Sequence, residues 1–241
     1  MVKDKLVISR EEVKLEKDAT TEKLDSGANL DLFYEIEVRD KNGNLISKRK
    51  GRSKSLLRNF ALMLRGLMAG NIYGVISGTT LNVKVTVTAR DGTTLNYPSF
   101  RYDPPSDHPE LNAPSAMEVS AMERNDKYGI LVGTGTAPVT KDDYDLNSQI
   151  PDGFADGQMV HGKTTVEDVN GDPPSSVFRI IRTFTNEGSS TITVYEIGLV
   201  ARVNENSTVK YVLIARDVLD TPQDVPAGAT LTVRYIFKVT A

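Results

Sequence analysis

The sequence predicts an all-β protein: an antiparallel β-sandwich, with a jelly roll as its narrower form, carrying one amphipathic α-helix near residues 53–69. Three observations predict it. Apolar and polar residues alternate with period two over most of the chain, turn residues separate the alternating runs, and one segment departs to helical spacing. A chain of 241 residues is long enough to bury a sandwich core.

The first strand places Leu30, Leu32, Tyr34, Ile36 and Val38 on one face, and the DKNGN run at 40–44 is a hairpin turn before a return strand that starts at Leu45 and Ile46. Val83, Val85 and Val87 alternate with polar residues, and Asp91 and Gly92 turn that run into a threonine-rich return. Residues 177–185 read as a strand that the NEGSS run at 186–190 folds back, as a hairpin, into residues 191–200. A short strand covers 211–215. After a turn at Pro226 and Gly228, Leu231, Val233, Tyr235, Phe237 and Val239 form a long alternating finish.

In the helical segment Leu56, Phe60, Leu64 and Leu67 share a face, and Leu57, Ala61 and Met68 widen it. Ser53 or Ser55 is suited to cap its start, and Gly70 with Asn71 to end it. Pro98, Pro104, Pro105, Pro109 and Pro114 mark a long loop at about 98–126, of the kind used as a functional loop, an arm or a linker. We read residues 1–28 as an N-terminal arm and 29–241 as a single sandwich domain, because each half taken alone has few strands for a closed sandwich.

Composition narrows the chemistry. With no cysteine there is no disulfide framework, thiolate zinc site or thiol nucleophile. No apolar run approaches the roughly 20 residues of a membrane helix, and the start lacks the long apolar stretch of a signal peptide, so a cytoplasmic product is expected. The net charge of −3 is unevenly spread: residues 1–58 carry 14 basic and 11 acidic groups, residues 103–172 carry 4 basic and 14 acidic. Lys48, Arg49, Lys50, Arg52, Lys54 and Arg58 form a basic patch without an intervening acid. Lys54 and Arg58 stand at or near the predicted helix start, where the macrodipole disfavours positive charge. An anionic partner there would relieve it, either nucleic-acid phosphate or the acidic 103–172 region of a neighbouring copy.

Three motifs suggest chemistry and meet objections. GQMVHGKT at 157–164 matches the phosphate-loop pattern letter for letter, yet a loop precedes it and Gly171, Pro173 and Pro174 forbid a following helix. The two histidines, His108 and His161, lie in loop-like surroundings and read as solvent-exposed bystanders. Asp142, Asp143, Asp145, Asp152, Asp156, Asp168 and Asp172 crowd one region, which suits calcium or, with two opposed carboxylates, a glycosidase; Asn170-Gly171 is equally a simple turn.

A run of phrases in the second half resembles a known group. GILVGTGTAPVTKDDYDL at 129–146, FRIIRTFTN at 178–186, VYEIGLV at 194–200, LIARDV at 213–218 and VPAGATLTV at 225–233, with SLLRNF at 55–60, together resemble β-rich virion structural proteins of tailed bacteriophages and related prokaryotic viruses. The resemblance implies a capsid or tail subunit and carries no active site. In the residues themselves, Gly133 and Gly135 suit a tightly turning segment at a sheet edge, and Glu196 is expected to pair across strands with Arg179, Arg182 or Arg202.

The expectation is therefore a non-enzymatic structural subunit of a virus particle, made in the host cytoplasm and located in the virion. Its partners are copies of itself and other virion proteins, with nucleic acid ranked behind them and no membrane contact. No catalytic, cofactor-binding or metal-ligating residue is assigned and no cofactor is expected. The basic patch is the candidate interaction surface. The alternative is a carbohydrate-binding β-sandwich module, opposed by the absence of tryptophan.

Overall fold

A computed structural model describes residues 29–53, 55–69, 75–76, 79–80, 86–95, 117–171, 174–205 and 208–240. Two antiparallel sheets face each other. The first holds β1 (Asn29–Arg39), β2 (Leu45–Arg52), β8 (Val160–His161), β9 (Thr165–Val166), β10 (Ser175–Thr185) and β13 (Thr230–Thr240), in the order β2-β1-β13-β10-β8 with β9 also on β10. The second holds β7 (Gly129–Gly133), β11 (Ile192–Glu205) and β12 (Thr208–Val225), in the order β12-β11-β7. Two short hairpins, β3 (Val75–Ile76) with β4 (Thr79–Thr80) and β5 (Val87–Thr88) with β6 (Thr94–Leu95), and one helix, α1 (Arg58–Ala69), complete the described elements.

The alternation dictates the core. Leu32, Ile36, Phe184, Leu231, Val233 and Tyr235 point inward from the first sheet and meet Ile130, Val132, Ile197, Leu199, Val212 and Ile214 of the second in one buried cluster. A smaller cluster, with Leu131, Val200 and Leu213, lies on the opposite face of the second sheet, which is therefore buried on both sides. The turn at 40–44 forms as the sequence implies: Gly43 has φ +84° and Asp40 accepts the amides of Asn42 and Asn44. The second hairpin turns at Gly92, as expected; Val83 and Val85, like the 1–28 arm and most of the proline-rich loop, lie outside the described residues.

Residues 186–190 are a corner, not the expected hairpin. β10 pairs with β13 along its whole length and β11 pairs with β12, so the chain crosses between sheets at 186–190 and again at 226–229. The two corners are bonded together. Asn186 is fully buried; its amide nitrogen donates to the Ser190 and Val225 carbonyls, and its backbone exchanges bonds with Gly228 and Ala229. A single long ribbon of two strands is thereby folded over on itself. The strand expected at 211–215 lies within the first half of an 18-residue strand.

The helix starts later than its serines imply. Residues 55–57 instead lie along β12, with the Leu57 amide on the Ile214 carbonyl at 3.0 Å and a bridge from Leu56 to Ala215. Ser53 and Ser55 spend their hydroxyls on β12: both donate to Asp217, and Ser55 also to the Arg216 carbonyl. This turns the helix about its axis relative to the predicted stripe. Met63 and Asn59 are buried, while Leu64 is partly exposed at 36%.

Candidate functional site

The outer face of the second sheet carries a buried ionic lock. Glu196 on β11 and Arg216 on β12 are 0% and 3% exposed in their side chains, and Arg216 Nε donates to Glu196 Oε2 at 2.7 Å. Arg216 also donates to Asp143 Oδ2 at 2.8 Å and to the Ala137 carbonyl at 3.0 Å. Glu196 in turn accepts the backbone amides of Gly135, Asn147 and Ser148. One carboxylate and one guanidinium thus bind residues 134–148 down onto the sheet. The glycines follow from this: a Cβ at Gly133 or Gly135 would strike the Glu196 side chain, and one at Gly198 would strike Leu146. Burial opposes charge on Asp143, but hydrogen bonds from Thr140 and Arg216 hold its carboxyl below the ordinary range.

A second buried cation seals the flank where β7 and β8 come together. Arg182 points inward from β10 and is fully buried, with no carboxylate bonded to it among the described residues. Its guanidinium donates instead to the carbonyls of Gly162 (2.8 Å), Tyr128 (3.1 Å), Ile130 (2.8 Å) and Asn125 (2.5 Å). It thereby occupies backbone acceptors along the edge strand of one sheet from a strand of the other. Desolvation brings its pKa down to about 10. His161 lies beside it, edge-on to Phe184 at 4.9 Å between ring centres. Neither His161 ring nitrogen has a hydrogen-bond partner among the described residues. Burial, and then the charge of Arg182, lower its pKa to about 4, so the ring is neutral at pH 7.

The opposite flank is open. Where β2 and β12 part, a concavity of about 550 Å³ is lined by Tyr34, Arg52, Ser55, Lys141, Asp217 and Asp220, among others. Asp217 reaches in between the sheets, accepting bonds from Ser53 at 2.8 Å and from the buried Tyr235 hydroxyl at 3.2 Å. Desolvation and the Asp217 carboxylate both raise the Tyr235 pKa. Tyr34 stands opposite Gly51 in the β1–β2 register, and its ring lies across that glycine so closely that any Cβ there would collide with it. Burial, followed by the charges of Asp217 and Asp220, raises the Tyr34 pKa.

The basic patch is spread over two elements and is largely paired within the chain. Lys48, Arg49, Lys50 and Arg52 lie on β2, the edge strand of its sheet; Arg58 is the first residue of α1, and Lys54 lies outside the described residues. Lys48 meets Glu35 at 3.2 Å, Arg52 meets Asp31 at 2.5 Å, and Lys50 stands 5.6 Å from the centre of the Phe33 ring. The anion that relieves Arg58 is Asp142 of the same chain, at 3.5 Å, beside a Lys141 carbonyl that takes the Arg58 amide. Arg49 has no ion-pair partner among the described residues and faces the open flank, beside Asp220 and Thr221.

The remaining candidates serve the fold. Glu196 pairs with Arg216 and not with the three arginines expected: Arg179 bonds Glu167, Arg202 bonds Glu118, and Arg182 bonds carbonyls. Arg179 and Arg182 lie on β10, which belongs to the other sheet, and Arg202 lies further along β11, the strand of Glu196 itself. His161, expected at the surface, is fully buried because β8 seats it on β10; His108 lies outside the described residues. The GQMVHGKT run passes from a turn at Gly157 into β8 and then β9, with no helix after it among the described residues. The aspartates are dispersed onto separate partners: Asp145 onto Arg90, Asp152 onto Arg124, Asp156 onto Ser189. No metal-ligating group of three occurs among the described residues; Asn170 is bridged to Val177, and Gly171 after it has φ +126°. No described helix is long and apolar enough to cross a membrane. Comparison with known protein families, with curated proteins and with solved structures finds no match for the chain.

The site residues not anticipated are Tyr34, Asp217 and Arg182. Each had a signal. Arg182 and Asp217 are charged residues inside otherwise apolar strand runs, where an ion must find bonding partners.

Proposed function

We propose that the protein is a structural subunit of a virus particle, a capsid or tail component of a tailed bacteriophage or related prokaryotic virus, that works by self-assembly and protein–protein contact. One observation carries this reading. The phrases that resemble virion proteins converge on each other: Gly133, Gly135 and Asp143 from the first meet Glu196 and Arg216 from two others. The TFTN and VPAG phrases likewise meet through Asn186. Such residues hold loops rigid and leave none of their functional groups for chemistry, as a scaffold that presents surfaces requires. Contacts between copies would use the 1–28 arm and the 98–126 loop, since most of the described basic and acidic groups are spent within the chain.

The test is the native mass by light scattering over a range of concentrations, with capture of capsid or tail proteins by the tagged full chain. A defined oligomer, or capture of a virion component, is expected. A chain that stays monomeric at high concentration and captures neither contradicts the reading.

A further inference from the structure

Two adjoining concavities, of about 550 and about 350 Å³, share Tyr34, Leu219 and Asp220 and form one elongated groove between β2 and β12. Its size is that of a small-ligand site. We propose that this groove binds an oligosaccharide bearing an acidic group, with Tyr34 as the ring on which a sugar rests, Arg49 as the partner of the acid, and Asp220 with Thr221 as partners of hydroxyls. The inference is independent of the assembly reading, because a single chain contains the whole groove.

The two walls differ in sign. Arg49 comes from β2, beside the backbone of Lys50 and Arg52, whose side chains turn to Phe33 and Asp31; Asp217 and Asp220 come from β12, while Leu56 and Leu219 supply apolar surface. A hydroxyl both donates and accepts, so a polyhydroxylated ligand bonds to guanidinium and carboxylate walls alike. A polyphosphate would find in Arg49 the groove's cation without an ion pair among the described residues, facing the two β12 carboxylates. An extended peptide would need to add to β2, and charged residues on an edge strand discourage that addition. Tyr34 offers the apolar ring face that sugar rings favour. It crosses Gly51 to reach the groove, so the missing side chain at 51 is what lets the ring lie there. Arg49, exposed and without an ion pair among the described residues, is free to take a carboxylate in the two-pronged manner of a guanidinium. The Lys48 and Arg52 pairs make those two cations less available.

The experiment titrates the full chain with trigalacturonate, 3′-sialyllactose and neutral maltotriose, followed by calorimetry and by amide chemical shifts. At least one acidic sugar is expected to bind about tenfold or more tightly than maltotriose, moving the amides of residues 49–51 and 219–221. Arg49→Gln, on an exposed side chain, should bring acidic and neutral sugars to similar affinity. Tyr34→Ala should weaken all binding by about tenfold, and Tyr34→Phe should retain most of it. The proposal is overturned if none of the three sugars moves those amides at up to roughly 10 mM, or if binding is unchanged in both Arg49→Gln and Tyr34→Ala.

Discussion

Along one flank of the sandwich, the guanidinium of Arg182 takes up the carbonyls of β7 and its neighbours, and the sheets close over it. Along the other, β2 and β12 part around Tyr34 and Asp217, and a groove stays open. Both flanks pose the same physical problem, since the edge of a sheet leaves backbone groups unpaired. The first solves it with one buried cation that bridges the sheets. The second surrounds its edges with charged side chains of both signs and keeps them wet. The closed flank is therefore where stability should concentrate, and the open flank is where a ligand or partner can be met.

Breaking the closed flank should cost most. Arg182→Met keeps the volume but strands several buried carbonyls, and a loss of about 4 kcal/mol is expected in urea denaturation. The ionic lock comes next. Glu196→Gln leaves Arg216 buried beside a neutral amide; a loss of about 3 kcal/mol is expected, with new protease cleavage within residues 134–148.

Acid should weaken the closed flank selectively. The His161 pKa falls from an ordinary 6.5 to about 4 on folding, so between those values the unfolded chain binds the proton that the folded chain refuses. Stability from this group is complete above pH 6.5, declines as the pH falls towards 4, and is lost below it. The expected total is about 3 kcal/mol. Around this ring Arg182 opposes the proton, while Asp152 and Asp126 favour it. His161→Phe, measured from pH 7 to pH 4, should show a shallower loss than the natural chain, and an equal slope would assign the acid sensitivity elsewhere. The open flank should be the most tolerant. Lys48→Ala removes an exposed lysine from its pairs with Glu35 and Glu37, which Arg234 also meets, and a change of about 0.5 kcal/mol or less is expected in the same denaturation.

The strands were legible because alternation is a local signal: Leu32 to Val38 and Leu231 to Val239 report their faces directly. Which strand lies beside which was not. The NEGSS run at 186–190 has the residues of a hairpin turn, and only the buried bonds of Asn186 to Val225 and Ser190 make it a corner. The same blindness to long-range pairing misassigned the partner of Glu196. It also made Ser53 and Ser55 look like helix caps, when their hydroxyls are claimed by a strand more than 160 positions away. The basic patch was legible as charge, but not as charge already paired with β1 and with Asp142. The groove had no signature at all, because it needs Tyr34, Gly51 and Asp217 from three strands.

Hydrogen exchange of the dilute full chain tests the contrast between the flanks most directly. Amides at 128–133 and 180–184 are expected to exchange only with global unfolding, while alternate amides of 45–52 and amides of 218–223 exchange far sooner. Equal protection of the two flanks, or a β2 edge more protected than β7, would contradict that expectation.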